Sequence, residues 1–267
     1  MLASYYQRLA SLQTRKRCGV IAMATILALV AGCASSPQSK PTSTPLAARS
    51  GLRDLGGEHV SFTTSDGVLL RGHLYGTGTT GVILAHMYPA DQSDWTDFAQ
   101  VLAAHGYQAL TFDFRGFTES EGISGTEDAG TDLLTAYKFM HPRVSRIFIA
   151  GASLGAEAAI LVGAREDVAG LILISVPTSF GGLVVTESIR HVRAPILFVT
   201  SAGDPLVGGQ PEILYRMAQA PRSMQVYPGR AHGTAILHGP HSQELQALML
   251  RFIAANDKPE PRAGSGL

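Results

Sequence analysis

Three residues of this chain have the types needed to turn a hydroxyl into a nucleophile, and each follows an apolar run. Ser153 is the centre of Gly151-Ala152-Ser153-Leu154-Gly155. Ile147-Phe148-Ile149-Ala150 precedes that turn and an Ala-rich stretch follows it. A strand, a sharp turn and a helix in succession require glycines, because bulky neighbours clash in so tight a bend. The turn lifts the serine hydroxyl off a sheet, at the positive end of the following helix. A serine hydroxyl attacks a carbonyl only when a base takes its proton, and the base needs an acid to orient it. His232, in Gly229-Arg230-Ala231-His232-Gly233, supplies an imidazole, and Asp204, in Ser201-Ala202-Gly203-Asp204-Pro205, supplies a carboxylate. Other candidates have plainer roles. Glu187 is a substitute acid, but it falls in an expected helix rather than after a strand. His86 supports its loop by hydrogen bonding. His105, His141 and His191 fall near helix ends or loops. His238 and His241 have no carboxylate or thiolate partner at ligand spacing, so no metal site is expected. Arg115 ties a loop, and Trp95 and Phe98 belong to a core.

The elements that must position these residues follow from periodicity. Alternating runs at 59–64 and 68–75 flank Ser65-Asp66-Gly67, a hairpin signal. Strands are expected at 81–86, 107–114, 146–150, 169–176, 195–200 and 224–227. Helices are expected at 92–105, with Asp91 as N-cap, and at 126–140, 154–164, 209–219 and 241–256. After one hairpin, strand and helix alternate. That pattern gives an α/β domain: a mostly parallel central sheet with helices on both faces. Ligands bind outside the carboxyl ends of such strands, where Ser153, Asp204 and His232 all fall. The stretch 177–194 is too short for a cap domain, and residues 179–188 read as a small flap.

From about residue 58 to 256 the chain resembles the bacterial α/β-hydrolases, in particular the dienelactone-hydrolase-like and serine-esterase branches. The motifs that carry the resemblance are GASLG at 151–155, GDPLV at 203–207, GRAHG at 229–233 and Asp113-Phe114-Arg115-Gly116. The resemblance implies an α/β-hydrolase fold, with Ser153 as nucleophile, His232 as base and Asp204 as acid. It implies an oxyanion hole made by the backbone N–H groups of Leu154 and of Tyr88, within His86-Met87-Tyr88-Pro89. Met87 and Thr118 stand where the family more often has Gly, so both loops depart from its pattern. Ser153 in place of Cys argues against dienelactone hydrolysis itself. The implied activity is hydrolysis of small or medium carboxylic esters without a cofactor. An acyltransferase or peptidase on the same triad, or a non-catalytic ligand-binding lipoprotein, are the alternatives.

The first residues point to export. Arg8, Arg15, Lys16 and Arg17 precede an uncharged apolar run from about 18 to 31, the pattern of a secretory signal. It ends in Leu29-Val30-Ala31-Gly32-Cys33, which resembles the lipobox of bacterial lipoproteins. That resemblance implies cleavage before Cys33 and acylation of this residue, anchoring the protein to the cell envelope. With Ala34 next, it implies the outer membrane if the source is Gram-negative. Residues 33–57 then read as lipidated Cys and tether, 58–256 as the domain and 257–267 as a tail. Loss of residues 1–32 leaves 17 basic against 21 acidic residues, a net charge of −4. Nothing there neutralises a nucleic-acid backbone, so the partners expected are a membrane and a small acyl substrate. Both cysteines, Cys18 and Cys33, precede the domain, which therefore has no thiol chemistry.

Overall fold

Successive side chains of a strand point to opposite faces of its sheet, so a strand apolar at every position must be covered on both. The run 147–152 is of that kind. The computed structural model describes residues 54–258 and shows the covering. The strands are β1 (Glu58–Thr63), β2 (Leu69–Tyr75), β3 (Thr80–Ala85), β4 (Gln108–Phe112), β5 (Arg146–Ala152), β6 (Gly170–Ile174), β7 (Ser179–Phe180), β8 (Leu183–Val184), β9 (Ile196–Ser201) and β10 (Arg222–Tyr227). Eight of them form one sheet in the order β1-β2-β4-β3-β5-β6-β9-β10. β2 is antiparallel to both neighbours, and β4, β3, β5, β6, β9 and β10 run parallel to one another.

Among the described residues five α-helices complete the layers: α1 (Thr96–Ala104), α2 (Ala129–Met140), α3 (Leu154–Gly163), α4 (Gln210–Met217) and α5 (Ser242–Asn256). On one face Phe148, Ala150 and Ala152 of β5 pack with Phe98 and Leu102 of α1 and Leu245, Met249 and Ile253 of α5. On the other, Ile147 and Ile149 pack with Leu133 of α2, Ile160 of α3 and Leu214 of α4. Trp95 and Phe98 are buried, as their spacing predicts. Truncating a buried aromatic such as Phe148 to Ala costs about 3–5 kcal/mol through lost transfer energy and the cavity left behind.

Element ends agree with the periodicity to within two residues, with local differences. The helices expected from 92 and from 126 each open with a 3-10 turn, Gln92–Trp95 and Thr126–Asp128. Asp91 caps the first, its carboxylate accepting the Ser93 N–H at 2.9 Å. Residues 179–184 form a separate hairpin, β7–β8, whose turn Gly181-Gly182 has φ of +58° and +91°. Such a turn needs left-handed backbone at both positions, which only Gly adopts without strain. Glu187 is not inside an α-helix; it precedes a short 3-10 turn, Ser188–Arg190, and is exposed. Leu55 and Asp257, just outside 58–256, are tied to the domain: the Tyr75 hydroxyl donates to Leu55 O at 3.0 Å and the Thr80 hydroxyl to Asp257 Oδ1 at 2.9 Å. The expected signal segment at 1–32, Cys33 and most of the expected tail lie outside the described residues. No described helix is long and apolar enough to cross a membrane.

Candidate active site

Ser153 joins β5 to α3 with φ +48° and ψ −111°. A non-glycine residue there is strained, and such strain persists only when its surroundings hold it. The two glycines of the turn show how tight it is. A Cβ on Gly151 would stand 2.2 Å from Gly155 O, and one on Gly155 would stand 2.2 Å from Ala85 O and 2.7 Å from His86 O. Any side chain at 155 would push α3 away from the end of β3. The same approach brings the 86–88 loop beside the serine.

Asp204 and His232 come from the loops after β9 and β10. His232 Nδ1 lies 2.9 Å from Asp204 Oδ2 and 3.2 Å from Oδ1. A carboxylate can only accept there, so Nδ1 carries the hydrogen, which in the neutral ring leaves the lone pair on Nε2. Burial alone would push the Asp204 carboxyl up. The His232 hydrogen bond and charge, with the Leu206 N–H and the nearby Ser175 hydroxyl, outweigh burial and hold it below the usual carboxylate range. The His232 turn lies against the serine elbow: a Cβ on Gly233 would stand 3.6 Å from Ala152 Cβ and 2.5 Å from Met87 Sδ. Ser153 is 6% exposed, and its Oγ has no hydrogen-bond partner among the described residues. No hydrogen bond therefore joins Ser153 Oγ to His232 among the described residues; in Ser–His pairs that contact is commonly long until substrate is bound.

The N–H of Leu154 opens α3, and helix openings leave such donors unused. Neither it nor the Tyr88 N–H has a partner among the described residues. The Tyr88 ring stands 5.9 Å from both the Phe117 and Phe180 rings, so three aromatic side chains wall this end. His86 is fully buried, which pushes its pKa down and keeps it neutral. Its Nδ1–H donates to Met87 O at 2.9 Å, and its Nε2 accepts the Phe114 N–H at 3.0 Å. Both nitrogens are thus committed to holding the loop after β3 to the end of β4. Arg115 is likewise structural: it binds Asp132 at 2.7 Å, Asp66 at 2.7 Å and Asp128 at 3.1 Å. Burial works against its charge, but these carboxylates raise its pKa further. Thr118 donates to Asp91 Oδ2 at 3.3 Å, so the residue that replaces Gly there is part of the loop's fastening.

Two features have no counterpart in the sequence reading. Ser175, after β6, shares the left-handed backbone of Ser153 at φ +49° and lies buried beside Asp204. Glu157, one helical turn after Ser153, is fully buried under the β7–β8 hairpin, and its pKa is pushed up to about 9 by burial. That hairpin is fastened rather than loose. Gln210 Oε1 accepts both the N–H and the hydroxyl of Thr178 at 2.8 Å, and the Thr126 hydroxyl donates to Gly181 O at 2.7 Å. A cavity of about 840 Å³ lies elsewhere, at the amino-terminal ends of β6, β9 and β10, and touches none of Ser153, Asp204 and His232. Chemistry on a parallel sheet belongs to the other end.

The fold is that of the α/β-hydrolases, with no large cap domain. A family model described as serine aminopeptidase, S33, matches residues 80–180, a span that holds the 86–88 loop and the Ser153 turn and stops before Asp204. Over 235 residues the chain is 25% identical to the "Uncharacterized protein YfhR" of Escherichia coli O157:H7, covering 76% of this chain and 82% of that one. It is 20% identical over 188 residues to the "Alpha/beta hydrolase domain-containing protein aho-3" of Caenorhabditis elegans, covering 63% of this chain and 57% of that one. Among solved structures, the Pyrococcus furiosus esterase Pf2001 superposes with a TM-score of 0.66 at 22% identity, over 76% of this chain and 94% of that one. The Paleococcus ferrophilus monoacylglycerol lipase gives 0.64 at 13% identity, over 70% and 99%.

Proposed function

We propose that the chain is a serine hydrolase that cleaves small or medium carboxylic esters through an acyl-enzyme. The observation that carries this reading is the 2.9 Å bond from His232 to a buried Asp204, set behind a strained Ser153 at one end of the sheet. His232 Nε2 takes the Ser153 proton as Oγ attacks the ester carbonyl. The N–H groups of Leu154 and Tyr88 receive the negative oxygen of the tetrahedral intermediate. The imidazolium gives its proton to the departing alkoxide as the carbon–oxygen bond breaks. Water, deprotonated by the same imidazole, then attacks the acyl-enzyme; its proton returns through His232 to Ser153, and the acid leaves. Asp204 holds the imidazole in the tautomer that this cycle requires.

The family description of an aminopeptidase favours a second reading, amide cleavage on the same residues. A fluorophosphonate probe tests the shared part: Ser153 is expected to be the sole labelled residue. Absence of labelling on folded protein would leave a ligand-binding role instead. A panel of nitrophenyl esters against aminoacyl nitroanilides then separates esterase from peptidase.

The chain is also proposed to be exported and lipid-anchored at Cys33, with Leu29-Val30-Ala31-Gly32-Cys33 behind a basic start as the support. Full-length protein should partition into detergent and carry acyl chains, and Cys33→Ala should block lipidation, so that the protein no longer matures as an anchored form. Mass spectrometry finding an unmodified Cys33 in the mature protein would overturn the anchor.

A further inference from the structure

A group of metal-ligating residues lies apart from the serine, on the first hairpin. His59 of β1 pairs directly with His73 of β2, so both side chains leave the same face, with ring centroids 4.2 Å apart. Glu119 reaches them from the loop after β4. Backbone bonds fix that loop. The Glu119 N–H donates to Asp113 Oδ2 at 3.2 Å, the Arg71 N–H to Ser120 Oγ at 2.9 Å and the Glu121 N–H to Leu69 O at 2.9 Å. As a result, ligand atoms of His59, His73 and Glu119 all lie within 4.8 Å of one another.

Two imidazoles and a carboxylate are a zinc donor set that leaves a coordination position for solvent. Metal–ligand distances near 2.1 Å put tetrahedral ligand atoms about 3.4 Å apart, so the three need to draw together, and the exposed His59 is the one with room to move. The fixing of His73 is the second observation. Gln92 Nε2 donates to Asp113 Oδ2 at 2.9 Å, and the Thr111 hydroxyl donates to Gln92 Oε1 at 3.0 Å. Oε1 is therefore an acceptor, and His73 Nδ1, 2.9 Å from it, must carry the hydrogen. Nε2 is then the nitrogen whose lone pair would take a metal. An oxygen that fixes the other N–H is the usual support behind a ligating histidine. Both His73 and Gln92 are fully buried, so this orientation is held by protein rather than by water.

We propose that His59, His73 and Glu119 bind a divalent transition metal, zinc in the first instance. Calcium and magnesium are disfavoured because they take oxygen ligands. The metal would clip β1 to the loop after β4, whose Phe117 ring packs 4.9 Å from His86 and 5.9 Å from Tyr88. This inference does not rest on the catalytic reading and stands whether or not Ser153 is labelled.

The test uses full-length protein in detergent, stripped with a chelator, dialysed against zinc chloride and assayed for bound metal by atomic emission. One zinc per chain is expected in wild type and in His191→Ala, which removes an exposed histidine elsewhere. Loss of that zinc is expected in His59→Ala and in Glu119→Gln. His59 is exposed, so its replacement tests the site even if Glu119→Gln fails to fold. Zinc should also raise the Tm of wild type and leave that of His59→Ala unmoved. Folded wild type that retains no zinc, or a His59→Ala variant that retains as much as wild type, would overturn the site.

Discussion

Asp204 and Glu157 are both buried acids near Ser153, and the molecule treats them oppositely. Asp204 lies in a loop where His232, the Leu206 N–H and the Ser175 hydroxyl all face it, and it is held ionised. Glu157 lies on α3, a helix with almost no solvent face, beneath the β7–β8 hairpin, and neither of its carboxylate oxygens meets a good hydrogen-bond donor. Burial keeps it protonated up to about pH 9. Equal depth thus gives opposite charge states, because partners and not depth decide whether a carboxylate survives in the interior.

The contrast can be broken at the proposed nucleophile. Ser153→Ala is expected to lower kcat by roughly 10⁶, with His232→Ala no worse when added, since the three residues act as a unit. Ester turnover by purified protein, with fold checked by circular dichroism, measures it. At the ionised acid, Asp204→Asn should fold but favour the wrong His232 tautomer, lowering kcat by about 10³–10⁴.

At the neutral acid the effect belongs to stability. The unfolded Glu157 carboxyl loses its proton above about 4.5, whereas the folded one keeps it to about 9. The unfolded chain therefore binds fewer protons in that window, and stability falls as pH rises through it. Glu157→Gln removes this term. It should gain little below pH 4.5 and on the order of a few kcal/mol near pH 8 in denaturant titrations. An equal effect at both pH values would show that Glu157 is already ionised in the fold. The smallest expected effect is at Glu187, whose carboxylate is exposed beside Arg190 and His191. Glu187→Gln should leave ester turnover within about a few-fold of wild type. A crippled variant would move the acid's role from Asp204 to Glu187.

The parts of the molecule legible in the sequence were those with local signals. Apolar runs of strand length, the Asp66-Gly67 turn and the Gly-flanked Ser153 each act over a few residues. The β7–β8 hairpin escaped because its strands are two residues long, too short for alternation, although Gly181-Gly182 is a hairpin turn signal. Glu157 escaped because α3 is apolar on every side, so helical periodicity gave no hint that its one acid lacked a solvent face. The group of His59, His73 and Glu119 escaped for another reason. Its members meet only through the register of β1 on β2 and the folding back of the loop after β4, and neither is written in residue spacing.

The contact between Met87 and the His232 turn has a consequence for how the protein ages. The thioether of Met87 occupies the space that a side chain at Gly233 would need, one residue from the imidazole. Peroxide adds an oxygen to such a sulfur, turning a pliable apolar group into a larger polar one. Under oxidants, that single oxygen would press on the turn carrying His232. Oxidative loss of the proposed activity would then begin at a residue outside the proposed triad.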